Sequence, residues 1–243
     1  NDLCYLTITQ STLTQNTAID GGAIHNTGYL TLTQSTLTQN TANSYGGAIL
    51  NWGTATITHS RIIGNTGIDV YRNGGTVNAA FNWWGSNFLG TDPISEGRAN
   101  SGVIVDPWVI LTVNATPDTI NNGETSTITA DLNHINGGGD LVGGHIPDGP
   151  IRLDINSWGS FINPGTLQTI ILDTVNGAII PISFYANGGQ PTPTSVIING
   201  TADGYTTTGI ASAYININPV AYLNITKTAN VTSANVGDFI EYV

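Results

Sequence analysis

The chain is almost without cysteine. Cys4 is the only one among 243 residues, so no intramolecular disulfide can form. A lone cysteine beside a repeat reads first as core filler. A nucleophile would need a base and an orienting group, and neither His25 nor His59 is tied to Cys4 by any pattern. Positive charge is nearly as scarce. Arg61, Arg72, Arg98, Arg152 and Lys227 are the whole basic complement, and the net charge is −11. That argues against nucleic-acid binding, which needs a basic footprint. Charged residues of both signs make up only 9% of the chain, with Thr, Asn and Gly as the polar component. Low charge alone would fit disorder, but 40% apolar residues in β-type patterns point to folded structure. No apolar run approaches the roughly 20 residues of a membrane span. Asn1-Asp2-Leu3 lacks the basic start and apolar core of a signal peptide. The chain therefore reads as a piece of a longer surface protein, with its targeting signal and anchor elsewhere.

What is present is a repeat. Thr7 to Ala18 returns as Thr31 to Ala42 with one change, Ile8 to Leu32, at an offset of 24 residues. A looser copy, Thr56 to Gly67, follows 25 residues later. A fixed period of this size is the mark of a solenoid, in which each turn buries its core against its neighbours. Within each copy apolar residues alternate with Thr, which predicts short strands. Equivalent positions should stack as columns: Ile8, Leu32 and Ile57; Leu13, Leu37 and Ile62; Ser11, Ser35 and Ser60; and Asn16, Asn40 and Asn65 at a turn. Stacked Asn side chains can bond one another and the turn backbone. Gly21-Gly22-Ala23-Ile24 recurs as Gly46-Gly47-Ala48-Ile49, a glycine corner followed by a core residue. The expected fold is all-β: a right-handed parallel β-helix over residues 1–87, then an immunoglobulin-like sandwich. An antiparallel meander would need hairpin signals every 8–12 residues, which the long identity argues against.

The pattern Ser-x-Leu-x-x-Asn-x-Ala, then Gly-Gly-Ala-Ile, carried by Ser11 to Ile24 and again by Ser35 to Ile49, resembles the repeats of polymorphic-outer-membrane-type and adhesin-like β-helices. Phe81-Asn82-Trp83-Trp84-Gly85-Ser86-Asn87 is similar to the end of the β-helix in adhesin-like surface proteins of methanogenic archaea. The resemblance implies an extracellular, cell-surface location and an adhesion-type role, with a glycan or cell-surface partner. It implies right-handed winding too, in line with the general preference of parallel crossovers.

Along the chain, residues 88–107 carry Gly90, Pro93, Gly97, Gly102 and Pro107 and read as a connector, with one strand at Val103-Ile104-Val105. Residues 108–219 show seven strand signals: Trp108–Val113, Ser126–Leu132, Ile151–Ile155, Thr169–Leu172, Ile179–Tyr185, Ser195–Ile198 and Ala211–Ile217. Seven short strands divided by turns suggest an unstapled immunoglobulin-like sandwich. Gly144 to Ile151, with its Pro-Asp-Gly turn, and the following Gly159 resemble bacterial immunoglobulin-like domains of the invasin and intimin type. Residues 220–243 resemble the opening of another repeated surface β-domain.

Chemistry is thinly supplied. Glycoside hydrolysis needs two positioned carboxylates, and the β-helix offers Asp2, Asp20 and Asp69, with Arg61 and Arg72. Asp69 and Arg72, with Arg61 nearly a turn earlier, read as a surface ion pair in preference to a catalytic trio. No Ser/His/Asp arrangement, P-loop or metal-ligand spacing is found, so no catalytic residue and no cofactor is assigned. Calcium is the one ion to weigh. Asp131, Asp140, Asp148 and Asp154 lie around Gly137-Gly138-Gly139, but their spacing matches no EF-hand loop and solvated loop carboxylates are the preferred reading. Trp83 and Trp84 are either a glycan-stacking platform or a plug over the solenoid end, and their position favours the plug. Asn114, Asn199, Asn224 and Asn230 head glycosylation sequons. The function read from all this is a non-catalytic adhesin-like segment, with a flat Thr/Asn-rich face of the β-helix turned to a glycan or another cell and the sandwich as a spacer. The alternatives are a β-helical polysaccharide lyase or hydrolase and a viral fibre segment.

Overall fold

A computed structural model describes residues 4–156, 158–163, 165–187, 192–203 and 211–219. The described residues form strands and turns with no helix, and so no helix long and apolar enough to cross a membrane. The expected further β-domain at 220–243 lies outside them.

The first part is a parallel β-solenoid of about four turns. The first coil holds β1 (Tyr5–Thr9), β2 (Thr12–Thr14), β3 (Thr17–Ala18) and β4 (Ile24–Asn26). The second holds β5 (Tyr29–Thr33), β6 (Thr36–Thr38), β7 (Thr41–Ala42) and β8 (Ile49–Asn51). Then come β9 (Thr54–Thr58), β10 (Arg61–Ile63), β11 (Val70–Arg72), β12 (Thr76–Asn78) and β13 (Val103–Ile104). They stack into parallel sheets ordered β1-β5-β9-β12-β13, β2-β6-β10, β4-β8-β11 and β3-β7. The repeat sets the register. Ile8 faces Leu32 and Leu32 faces Ile57, while Leu37 pairs with both Leu13 and Ile62. Leu32, Leu37, Ile57 and Ile62 are wholly buried.

The corners between strands use left-handed backbone. Gln10, Gln34, His59 and Phe81 fall at one corner with φ between 47° and 61°, and Gln15, Gln39 and Gly64 at the next with φ between 56° and 62°. Such conformations cost an ordinary residue free energy, and side-chain ladders hold them. Ser35 Oγ donates to Thr33 O at 2.8 Å and accepts from Ser11 N at 3.2 Å. Ser60 repeats this one coil on, its Oγ accepting from Ser35 N at 3.1 Å. Asn82 then takes the serine's place, its Oδ1 accepting from Ser60 N at 2.9 Å. The Asn16-Asn40-Asn65 column is a true amide ladder, each Nδ2 donating to the next Oδ1 at 2.9 Å. At the glycine corner, Gly21 and Gly46 adopt φ of 61° and 70°, and a Cβ on Gly22 would fall 2.1 Å from Gly47 O. Only glycine fits there.

Two features depart from the sequence reading. The strand expected near Val103 is present, but it joins the solenoid: β13 pairs in parallel with β12, Val77 against Val103. Ala99 bridges Val70 in the same sense. Coil stacking thus continues beyond residue 87, through the segment read as a connector. Several Asn residues also turn inward and do not line an outer face. Asn40 and Asn51 are fully buried and Asn26 and Asn65 nearly so.

The second part is one mainly antiparallel sheet of nine strands. These are β14 (Val109–Thr116), β15 (Thr119–Asn121), β16 (Thr125–Ile135), β17 (Pro150–Ile155), β18 (Thr169–Val175), β19 (Ala178–Ile179), β20 (Ile182–Tyr185), β21 (Thr194–Ala202) and β22 (Ala211–Asn218). The order is β14-β16-β19-β18-β17-β21-β22-β15, with β20 beside β16 and the β15–β22 pair parallel. The sheet folds back so that β14 lies against β21 and β22. Alternating residues such as Ile151, Leu153, Val196, Ile198, Ile215 and Ile217 point into the enclosed core. The single strand expected at Ile179–Tyr185 is split in two around Ile180-Pro181, where Pro181 has no N–H to give a ladder.

Candidate functional site

The two parts meet across β10. Its side chains alternate: Ile62 points into the solenoid core, while Arg61 and Ile63 point out yet are buried under the second unit. Arg61 is 3% exposed. It donates to Pro147 O from Nη2 at 2.8 Å and from Nε at 3.2 Å, and its Nη1 makes a short ion pair with Asp203. Trp83 continues this row one coil on, bridging Arg61 in parallel. Its Nε1 donates to the same Asp203 Oδ2 at 2.7 Å. Trp83 belongs to the core of the second unit and Trp84 to that of the solenoid. Only Trp84 therefore plugs the solenoid, and Trp83 is a key into the neighbouring core. Both are buried, at 2% and 0% exposure, so neither has a ring face open to a sugar.

Other residues singled out by the sequence are scattered. Asp69 and Arg72 do not form a surface ion pair. Asp69 is fully buried, its Oδ2 lies 3.5 Å from Arg98 Nη1, and its Oδ1 has no hydrogen-bond partner. Burial pushes its carboxyl up to about 7, against the opposing pull of Arg98 and of hydrogen bonds from Asn65. Arg72 instead donates from Nε to Gly75 O at 2.7 Å. Cys4 is exposed and fills no core. His59 stacks on Phe81 and contacts Val142 O through Nε2 at 2.9 Å.

The four carboxylates weighed for calcium do not converge on one point, and two of them share a histidine. His134 contacts Asp131 at 2.8 Å and Asp140 at 3.4 Å. Asp148 accepts from Gly177 N at 3.1 Å, and Asp154 accepts from Arg152 at 2.7 Å. Among the described residues no three His, Cys, Asp or Glu side chains gather where a metal could sit. Of the sequon residues, Asn114 is exposed. Asn199 is half-buried, its Oδ1 accepting from Ser212 Oγ at 2.7 Å. Asn224 and Asn230 lie outside the described residues.

Among the described residues a concavity lies elsewhere, where the repeat changes length. In the first coil Ala18 reaches Ala23 through Ile19, Asp20, Gly21 and Gly22. The second coil spans the same step from Ala42 to Ala48 with one residue more, Asn43-Ser44-Tyr45-Gly46-Gly47. In the third, Thr66 pairs with Thr41 and Asp69 O receives Ala48 N at 3.0 Å, so only Gly67 and Ile68 cover the gap. The longer loop overhangs the shorter one and leaves a groove of about 370 Å³ lined by Asn43, Ser44, Tyr45, Thr66, Ile68 and Tyr71, with backbone between. The Tyr45 and Tyr71 rings lie 4.7 Å apart, tilted by 39°. Tyr45 remains 50% exposed. No lining side chain carries a charge, and the nearest carboxyl in sequence, Asp69, is sealed from solvent. The lining offers hydroxyls, an amide and aromatic faces for binding. The sequence did carry a signal for this site, in the offset that changes from 24 to 25.

A second cleft, of about 220 Å³, lies where His145 and Pro147 overhang Gln10, Thr12, Gln34 and Thr36. No protein-family model matches the chain, and no curated protein matches it in sequence.

Proposed function

We propose that this chain is a non-catalytic segment of a cell-surface, adhesin-like protein, extracellular in location. The solenoid presents a surface poor in charge to a glycan or another cell-surface partner, and the second unit acts as a spacer. The observation that carries this reading is the chemistry of the outward face. Thr7, Thr31, Thr56 and Asn78 stand in one exposed column, and exposed aromatics, Tyr5, Tyr29, Tyr45 and Trp52, decorate the coils. Such a surface offers hydrogen bonds and stacking faces with few charged groups. Asn26, Asn40, Asn51 and Asn65 are used inward instead, where ladders stiffen the scaffold.

We read the second unit as an immunoglobulin-like sandwich. Its antiparallel order, its one parallel terminal pair and the packing of β14 on β21 and β22 support that. Right-handed winding of the solenoid is inferred from the preference of parallel crossovers. The exposed Asn114 is the sequon best placed to carry a glycan.

One observation favours a polysaccharide-cleaving enzyme: a carboxyl pushed up to about 7, at Asp69, suits a general acid. Its complete burial, out of reach of a substrate, weighs against that role. Incubation with cell-wall and host polysaccharides, scored both for retention and for new chain ends, separates the two. Retention without cleavage supports attachment. Turnover that Asp69→Asn abolishes would replace this reading with the enzymatic one.

A further inference from the structure

We propose that the groove between Tyr45 and Tyr71 is a carbohydrate site that takes a neutral pyranose unit of a surface glycan. The proposal rests on the attachment reading above and narrows it to one place and one ligand class.

The groove is built by two coupled departures from the repeat, an added residue in the second coil and a shortened corner in the third. Elsewhere along this edge the coils follow one another closely: Asn43 N bonds Ala18 O at 3.1 Å and Ser44 N bonds Ile19 O at 2.9 Å. The extra residue accounts for Tyr45, and the shortened corner uncovers the rim opposite. Tyr71 packs against the Tyr45 ring, and half of Tyr45 stays exposed to solvent. A pyranose presents just such a pair of needs: an apolar C–H face for an aromatic ring and a rim of hydroxyls for hydrogen bonds. Asn43, Ser44 and Thr66 supply donors and acceptors at the rim.

The volume of about 370 Å³ sits at the small end of the range for ligand pockets, about 300–1,000 Å³. It suits one or two sugar units. Charge narrows the class further. With no cationic side chain in the lining and a net charge of −11, a sulfated or uronic-acid polymer has nothing to pair with and a field to overcome. A proline-rich peptide also docks on aromatic grooves. It needs an extended track, and Tyr45 with Tyr71 makes a single station.

The test uses the whole chain on an array of neutral glucans, mannans and galactans, with dextran sulfate and a polyproline peptide as contrasting probes. Wild type, Tyr45→Ala, Tyr45→Phe and Tyr29→Ala are compared, each with a thermal melt. Tyr29 belongs to the other exposed stacked pair, with Tyr5 at 4.9 Å, and controls for aromatic stickiness in general. The expected result is binding of a neutral glycan that weakens about tenfold or more in Tyr45→Ala. Binding should be retained in Tyr45→Phe and Tyr29→Ala, with melting temperatures unchanged. Glycan binding that survives Tyr45→Ala would overturn the groove as the site and leave the attachment reading standing. Preference for dextran sulfate or polyproline would overturn the ligand class. If wild type binds none of the neutral glycans, this inference fails. Adherence of beads coated with the chain to whole cells then decides separately whether the attachment reading fails with it.

Discussion

Stability should fall as pH rises through the mildly acidic range, and one buried carboxyl should account for most of the fall. Asp69 is sealed in the solenoid wall, and burial raises its pKa from 3.8 to about 7. In the unfolded chain it titrates near 3.8. Between these values the folded state keeps a proton that the unfolded state has lost, so each rise in pH favours unfolding. The contribution is fully present below about pH 4 and is gone above about pH 7. A difference of about three pKa units corresponds to a loss on the order of 4 kcal/mol, a large part of the stability of a typical domain.

Other shifted carboxyls act in a different window. Asp92 is lowered chiefly by the backbone N–H of Ser95, and Asp154 chiefly by the Arg152 side chain. Their contributions are present above their ordinary values and vanish only as pH falls below about 4. Urea unfolding of wild type and Asp69→Asn at pH 4, 5.5, 7 and 8.5 isolates the effect. The two midpoints should nearly coincide at pH 4. They should separate steadily to pH 7, with the variant the more stable, and stay parallel beyond. Curves that run parallel over the whole range would refute the argument from burial.

Three further perturbations test the scaffold. Asn40→Ala removes donors to Leu13 O and Asn65 Oδ1 and an acceptor for Asn16, all in or beside the core. It should cost about 3 kcal/mol, whereas Asn16→Ala at the exposed end of the same ladder should cost under about 1 kcal/mol in chemical denaturation. Asp203→Ala strands a buried guanidinium and the Trp83 N–H, for a loss of about 3–5 kcal/mol, and adding Arg61→Met should restore most of it. Trp84→Ala should cost about 3–5 kcal/mol by emptying the solenoid plug. Equal melting temperatures for Trp84→Ala and wild type would disprove the plug.

The legible part of this fold is the part that repeats. Ile8, Leu32 and Ile57 could be placed side by side because their neighbours match residue for residue, and in a parallel solenoid equal spacing is equal height. The Ser and Asn ladders follow from the same logic. Asn26 and Asn51, joined Nδ2 to Oδ1 at 2.6 Å, make another ladder that the glycine corners obscured. The signal was an Asn two residues beyond Ile24 and Ile49 in otherwise different contexts. What could not be read depends on contacts remote in sequence. Arg61 and Asp203 are 142 residues apart, and nothing local says that an arginine on an outward strand position will be covered. Asp69 was taken for a surface charge because carboxylates are seldom wholly buried. The opposite destinations of Trp83 and Trp84 were within reach, since neighbouring residues of an extended chain point to opposite sides.

The row Arg61, Ile63 and Trp83 bears on how such a chain can be re-engineered. Repeat proteins invite cut-and-paste, with any number of coils and any downstream module. Here the last coils carry a built-in address for one particular neighbour. A graft of another module after Trp108 would leave a buried-type arginine, an isoleucine and an indole facing water on adjoining rungs. Exposed together they make an adhesive patch, prone to self-association. Coils added ahead of β1 leave that row untouched. Length in this protein is therefore exchangeable at one end and committed at the other.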